Sequence, residues 1–228
     1  MTDAGNIKAV MAAGADWTGL VFNSESPTCV KMRPAGSAIV PDYSIFTDGN
    51  SCGLFPSAGL EENNRRMMFG VFKDDMAQNI ITRIVRYHLD AIQLDGDESP
   101  VLIRNIRRSI VPDITKDIKV MKTIRVCHTE DLDRCEAYAG CADYFLFDMP
   151  LHDDAGKYGC NVLEVLSEYS GDVPFLIGGN IGYDDAGMIM RLSHPRCIGV
   201  NIGMNFETGP GMKDATLIKS FIDRIRKL

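Results

Sequence analysis

Two aspartates and two clusters of glycine stand where apolar runs end, and these residue types suit acid–base chemistry on a phosphorylated small molecule. Asp148 closes the run Tyr144–Asp148 (YFLFD), and Asp95 closes Ala91–Asp95 (AIQLD) beside Gly96. A carboxyl delivered by a buried strand can give or take a proton once its surroundings tune it. Each also has a plainer reading: Asp148 as a turn or cap carboxylate, Asp95 as a turn residue or as the cap of a helix beginning near Ser99. Gly178 and Gly179 close Phe175–Gly179 (FLIGG), and Gly203, Gly209 and Gly211 crowd the turn after Ile198–Gly203 (IGVNIG). Glycine lets an anion come close to backbone N–H groups that a side chain would screen, and it serves tight turns equally well.

The elements that must position these residues repeat in one order. WTGLVF (Trp17–Phe22), MMFGVF (Met67–Phe72), AIQLD, IKVMKTIRV (Ile118–Val126), YFLFD, FLIGG and IGVNIG read as strands, each followed by a segment with helical spacing. The helices expected are Thr2–Ala13, Asp74–Leu89, Pro100–Ile110, Thr129–Tyr138 (capped at Thr129), Val162–Tyr169, Asp184–Leu192 and Ala215–Lys227. Met76, Ile80, Ile81, Ile84 and Val85 are assigned to the buried face of the second of these. Seven strand–helix repeats preceded by a helix predict a (β/α)8 TIM barrel that lacks or replaces its first strand. In that fold, chemistry sits at strand C-termini and phosphate binds the last two loops. The missing strand would leave two unpaired edges, normally blunted or covered. Residues Ser37–Phe46, a second copy of the chain, or solvent are expected in the gap. Residues 1–228 are read as one domain with an irregular insertion at about 31–66. Ser37–Phe46 has some strand character there, confined to an edge by Pro41.

A chain of 228 residues with 45% hydrophobic content can bury one substantial core. Its net charge of −7 and pI near 5.1 argue against a nucleic-acid or anionic-membrane surface, yet leave room for a small anion held by backbone N–H groups. No apolar run approaches the roughly 20 residues of a membrane span, and a cytoplasmic location is expected. The seven cysteines (29, 52, 127, 135, 141, 160 and 197) are odd in number and without CxxC spacing, which predicts buried reduced thiols rather than a disulfide framework. His152, Asp153 and Asp154 form a polar loop, either solvated or a weak metal site; no metal site is assigned.

The order of AGADWTGLVF, SPTCV, GVF, IQLDGDESP, VMKTIRV, DYFLFD, PFLIGGNI and FETGPGMKD, followed by a closing helix, resembles the phosphoribosylanthranilate isomerase family of tryptophan biosynthesis. The resemblance implies a (β/α)8 barrel and an Amadori rearrangement of an aldosylamine to a ketosamine. It implies no cofactor or metal, a phosphorylated substrate, and a monomer or homo-oligomer. It casts Asp148 as the general acid that opens the furanose ring. It also places Gly178, Gly179, Gly203, Met204 and Asn205 around the phosphate, with Asp95 at the substrate. The family's general base is a cysteine in a Lys-(Ile/Val)-Cys-Gly motif that would stand immediately before Met1-Thr2-Asp3, and none of the seven cysteines occupies that place.

Other positions depart from the family pattern as well. Its Ser-Pro-Arg-Tyr-Val reads Ser26-Pro27-Thr28-Cys29-Val30, and its Gln-Leu-His-Gly reads Gln93-Leu94-Asp95-Gly96. A Gly-Gly-Ser/Thr-Gly loop becomes Ala155-Gly156-Lys157-Tyr158, and an aspartate becomes Asn201. Lys31, Arg33 or Lys157 would have to restore the lost positive charge. The expected activity is the family isomerisation. The alternative is an impaired or repurposed paralogue that binds a phosphorylated small molecule or a protein partner.

Overall fold

The computed structural model describes residues 1–30, 32–35, 38–41, 66–111, 113–115, 117–151 and 162–226, with 32–35 and 38–41 described as backbone. Seven strands form one parallel sheet: β1 (Trp17–Val21), β4 (Met67–Phe72), β5 (Ala91–Leu94), β6 (Lys119–Arg125), β7 (Tyr144–Met149), β8 (Phe175–Gly179) and β9 (Cys197–Val200), in that spatial order. Helices α1 (Ala4–Ala12), α2 (Ala77–Tyr87), α3 (Pro100–Ile110), α4 (Val162–Ser167), α5 (Ala186–Ile189) and α6 (Ala215–Arg226) alternate with them, and a 3-10 helix spans Thr129–Tyr138.

One contact shows how strongly the sheet curls. The Trp17 ring on β1 lies 5.2 Å from Phe69 on β4 and 5.1 Å from Tyr144 on β7. In a flat sheet β1 and β7, four places apart, would stand about 19 Å from one another. The strands therefore wrap around an interior filled by Met67, Phe69, Ala91, Met121, Leu146 and Leu176, with Trp17 and Tyr144 against them. Residues of the opposite parity, such as Met68, Ile92, Val120, Phe145 and Phe147, join the larger core beneath the helices. This period-2 division separates the barrel lumen from the helix layer.

The strands and α3 follow the sequence expectation closely; Ser99 caps α3 by accepting from the Leu102 N–H. Asp3 caps α1 through the Asn6 N–H, and Ile7, Val10 and Met11 are buried as expected. Helix α2 is a correction. Its buried face is Ile80, Ile84 and Tyr87, while Met76 is 73% exposed and Val85 44% exposed. Met76 is the extended residue before the first turn, so it cannot share that face. The Thr129–Tyr138 segment is 3-10 rather than α-helical. Its start is held by Asp131, whose carboxylate accepts from the Cys127 and His128 N–H groups, rather than by Thr129. Cys135 and Cys141 are buried thiols, whereas Cys127 is exposed and Cys29 and Cys197 are half-buried; Cys52 and Cys160 lie outside the described residues.

Among the described residues β1 and β9 share no ladder and no strand joins them. The described part of Ser37–Phe46 does not fill the gap. Strand β3 (Ala38–Pro41) pairs antiparallel with β2 (Met32–Ala35) as a separate hairpin, because a Pro-bearing strand is suited to an edge rather than a central place. Instead, the free carbonyls of β1 find local donors. The Met1 nitrogen donates to Gly19 O at 2.8 Å, and the Val30 N–H donates to Val21 O at 2.8 Å. The N-terminal segment then crosses toward the hairpin of β10 (Glu207–Gly209) and β11 (Met212–Lys213). There Asn6 and Lys213 exchange two hydrogen bonds of 2.7 and 2.8 Å. Among the described residues no helix is long and apolar enough to cross a membrane.

Candidate active site

Alternation along the strands decides which side chains reach the lumen. Tyr144 and Leu146 belong to the interior cluster and Phe145 and Phe147 to the outer one, so Asp148 shares the interior face at the C-terminal end of β7. The same logic places Thr123 and Arg125 beyond Met121, Asp95 beyond Ala91 and Gln93, and Gly178 beyond Leu176. Below this rim lies a cavity of about 1220 Å³ that extends into the gap between β1 and β9. Ser26, Thr28, Gln93, Asn201, Gly203 and Lys213 line its upper part. Asp95 and Asp148 stand at the strand ends around its mouth, outside its immediate lining.

These polar groups are connected. Gln93 Nε2 donates to Thr123 Oγ1 at 3.2 Å and reaches Asp95 Oδ1 at 3.4 Å. Arg125 Nε lies 3.7 Å from Asp148 Oδ2, and the Asp148 side chain is 40% exposed. Burial pushes the Asp148 carboxyl above the ordinary carboxylate range, and the negative charge of Asp95 pushes it further, against the opposing pull of Arg125. Thr28, where the family pattern has arginine, is half-buried at the cavity wall, its hydroxyl 2.8 Å from that of Ser26.

The two glycine loops come together. A Cβ built on Gly203 would lie 3.8 Å from Gly179 O, and Asn205 Nδ2 donates to Asn180 O (2.9 Å) and Ile181 O (3.1 Å). Behind the second loop Lys213 Nζ donates to Gly203 O at 2.6 Å and pairs with Glu207 at 3.0 Å. Met204 lies at the edge of the cavity and is 79% exposed. Gly179 has φ of +117°, and a Cβ there would lie 2.0 Å from Met149 O. Replacing Gly179 by alanine should therefore displace this loop and cost about 1–3 kcal/mol, visible as a lowered urea midpoint; an unchanged midpoint would show that the close approach is unimportant.

Sequence reasoning overlooked Lys213, Glu207 and the buried pair Lys122–Glu98. A lysine inside the otherwise apolar VMKTI was the available signal for the last of these. The Ala155–Tyr158 loop, the His152–Asp154 loop and the side chains of Lys31, Arg33 and Lys157 lie outside the described residues.

A family model described as N-(5'-phosphoribosyl)anthranilate (PRA) isomerase matches residues 56–224. The chain is 27% identical over 227 residues to the N-(5'-phosphoribosyl)anthranilate isomerase of Phocaeicola vulgatus, covering 100% of this chain and 95% of that protein. It is 31% identical over 226 residues to the enzyme of the same name from Rhodopseudomonas palustris strain HaA2, covering 96% and 90%. Its fold matches the crystal structure of a phosphoribosyl anthranilate isomerase in complex with reduced 1-(o-carboxyphenylamino)-1-deoxyribulose 5-phosphate. That match has a TM-score of 0.69 at 21% identity and covers 100% of this chain and 96% of the other. The curled, seven-stranded parallel sheet and these matches agree on a TIM-barrel-like α/β fold, and the chain belongs to the N-(5'-phosphoribosyl)anthranilate isomerase family.

Proposed function

We propose that this chain isomerises N-(5'-phosphoribosyl)anthranilate to the 1-(o-carboxyphenylamino)-1-deoxyribulose 5-phosphate skeleton, in the cytoplasm and for tryptophan biosynthesis. The observation that carries the reading is Asp148: an inward carboxyl at a strand end that burial and the charge of Asp95 push above the ordinary carboxylate range. A carboxylic acid so placed can protonate the furanose ring oxygen, a step that an ionised carboxylate cannot perform. As the ring opens, the anilino nitrogen forms the imine. Loss of the C2′ proton then gives the enolamine, which tautomerises to the ketone. The phosphate is assigned to the backbone of Gly178, Gly179, Gly203, Met204 and Asn205, where Asn205 and Lys213 brace the two loops. Asn201 and Thr28 supply neutral polar contacts from the cavity wall.

The test is continuous fluorescence of phosphoribosylanthranilate, whose decay should accelerate in proportion to protein added. Calorimetric titration with the reduced product analogue provides the second readout, since binding without turnover would reduce this chain to a phosphate-binding relative. Absence of turnover overturns the activity.

A further inference from the structure

We propose that the Arg125 guanidinium holds the o-carboxylate of the substrate's aromatic ring and so sets the direction in which the ligand lies across the mouth; the inference rests on the reading of the site above. Arg125 is the last residue of β6. It follows Met121 and Thr123 on the inward-facing parity, and its side chain is 74% exposed. Its strand pairing sets it level with Asp148, and Asp148 is level with Gly178 on the next strand. Cation, acid and phosphate-loop glycine therefore stand in one row at one height. The outer members are roughly 10 Å apart at about 4.8 Å per strand, and the arginine side chain adds its own length to that span. Phosphoribosylanthranilate carries its groups in the same order: phosphate at one end, ring oxygen and C1′ in the middle, carboxylate at the other end.

The electrostatics call for a cation there. Asp95 and Asp148 make the mouth acidic, and Thr28 offers an incoming carboxylate no charge. Lys122 is spent on buried Glu98, and Lys213 pairs with Glu207 behind the glycine loops. Arg125 has only a loose ionic partner among the described residues. Its Nε stands 3.7 Å from Asp148 Oδ2, beyond hydrogen-bond reach, which leaves its forked donors open to a ligand. A guanidinium can take a planar carboxylate with two parallel N–H bonds. That contact also neutralises the positive charge that opposes the Asp148 proton, so seating the aromatic ring favours the acid form.

The test compares two ligands: reduced 1-(o-carboxyphenylamino)-1-deoxyribulose 5-phosphate and the same compound lacking the carboxyl. By calorimetry the unmodified chain should bind the first about 10–100-fold more tightly, the range of one charge-assisted contact. Arg125→Gln should abolish that preference by weakening the carboxylated ligand alone, raise KM by a similar factor and leave the melting temperature unchanged. Arg125→Lys should recover part of the preference, since it returns the charge without the fork. Lys73→Gln, which removes an exposed cation just past the end of β4, should bind both ligands as the unmodified chain does. An unmodified chain that does not distinguish the two ligands overturns the proposal. So does an Arg125→Gln variant that keeps the preference, or that loses both affinities equally, the mark of a general electrostatic or structural role. Absence of turnover by the unmodified chain overturns the activity instead, and the binding preference still decides this contact.

Discussion

Asp148→Asn is expected to lower kcat by about 10³–10⁴-fold and, in the same molecule, to raise the melting temperature at neutral pH. Both effects follow from one perturbation. The folded protein holds the Asp148 proton more tightly than the unfolded chain does, because burial and Asp95 disfavour the ionised form more than Arg125 favours it. A carboxyl whose folded pKa is raised binds more protons in the native state than in the unfolded one. Stability is therefore greatest below the ordinary carboxylate pKa and declines as pH rises from there through the raised value. At neutral pH the ionised group is a cost, and an isosteric amide removes it, together with the proton that opens the ring. The side chain is partly solvated, so the stabilisation should be modest, while the kinetic loss should be severe. Activity should also fall at high pH as Asp148 ionises. In Asp95→Asn that basic limb should move to lower pH, since the charge holding the proton has gone. A variant Asp148→Asn that keeps its kcat, or melts lower than wild type at neutral pH, would sink this account.

Much of the scaffold was legible because it is written in short-range pattern. The strands Met67–Phe72 and Phe175–Gly179 and the helix Pro100–Ile110 have the expected boundaries, since apolar runs bounded by Arg66 and Lys73 or by Pro174 and Asn180, and a helix opened by Ser99-Pro100, leave few alternatives. Position at strand ends likewise brought Asp95, Asp148 and the two glycine loops to one mouth. What escaped depends on contacts distant in sequence. Met76 has helical spacing with Ile80, but it precedes the helix and points to solvent. The 3-10 geometry of Thr129–Tyr138 is imposed locally by Asp131 reaching back to two N–H groups, which no apolar periodicity reports. Lys122 reads as one polar residue in a strand; only the folded chain reveals that it faces the helix layer and meets Glu98, 24 positions away. The contacts on the side between β1 and β9, from Met1, Thr2 and Asn6 to Gly19, Gly211 and Lys213, join segments as much as 209 residues apart.

Lys122→Met should be the most damaging single change to stability, lowering the unfolding free energy by about 3–5 kcal/mol, a large part of the roughly 5–15 kcal/mol typical of a folded domain. Lys122 and Glu98 are each 1% exposed and lie 3.2 Å apart. The ammonium spends its three donors on Glu98 and on the Leu94 and Gly96 carbonyls, and it sits 5.7 Å from the centre of the Tyr138 ring, whose hydroxyl donates to Glu98 O. Methionine fills the same space but strands a buried carboxylate and two carbonyls. That loss exceeds what the intact pair contributes, because desolvating both charges offsets much of their attraction. The double variant Lys122→Met with Glu98→Gln should therefore be more stable than Lys122→Met alone. The neutral amide oxygen can still accept from the Asp74 and Gly96 N–H groups without an uncompensated charge. Urea unfolding of the four proteins decides the matter: additive losses would mean that the two charges are not coupled. The same variants link scaffold to chemistry. Since Lys122 holds the carbonyls that flank Asp95, Lys122→Met should lower kcat even where the chain remains folded. Restoring stability through Glu98→Gln should leave that kinetic loss in place, because neither substitution returns a donor to Leu94 O.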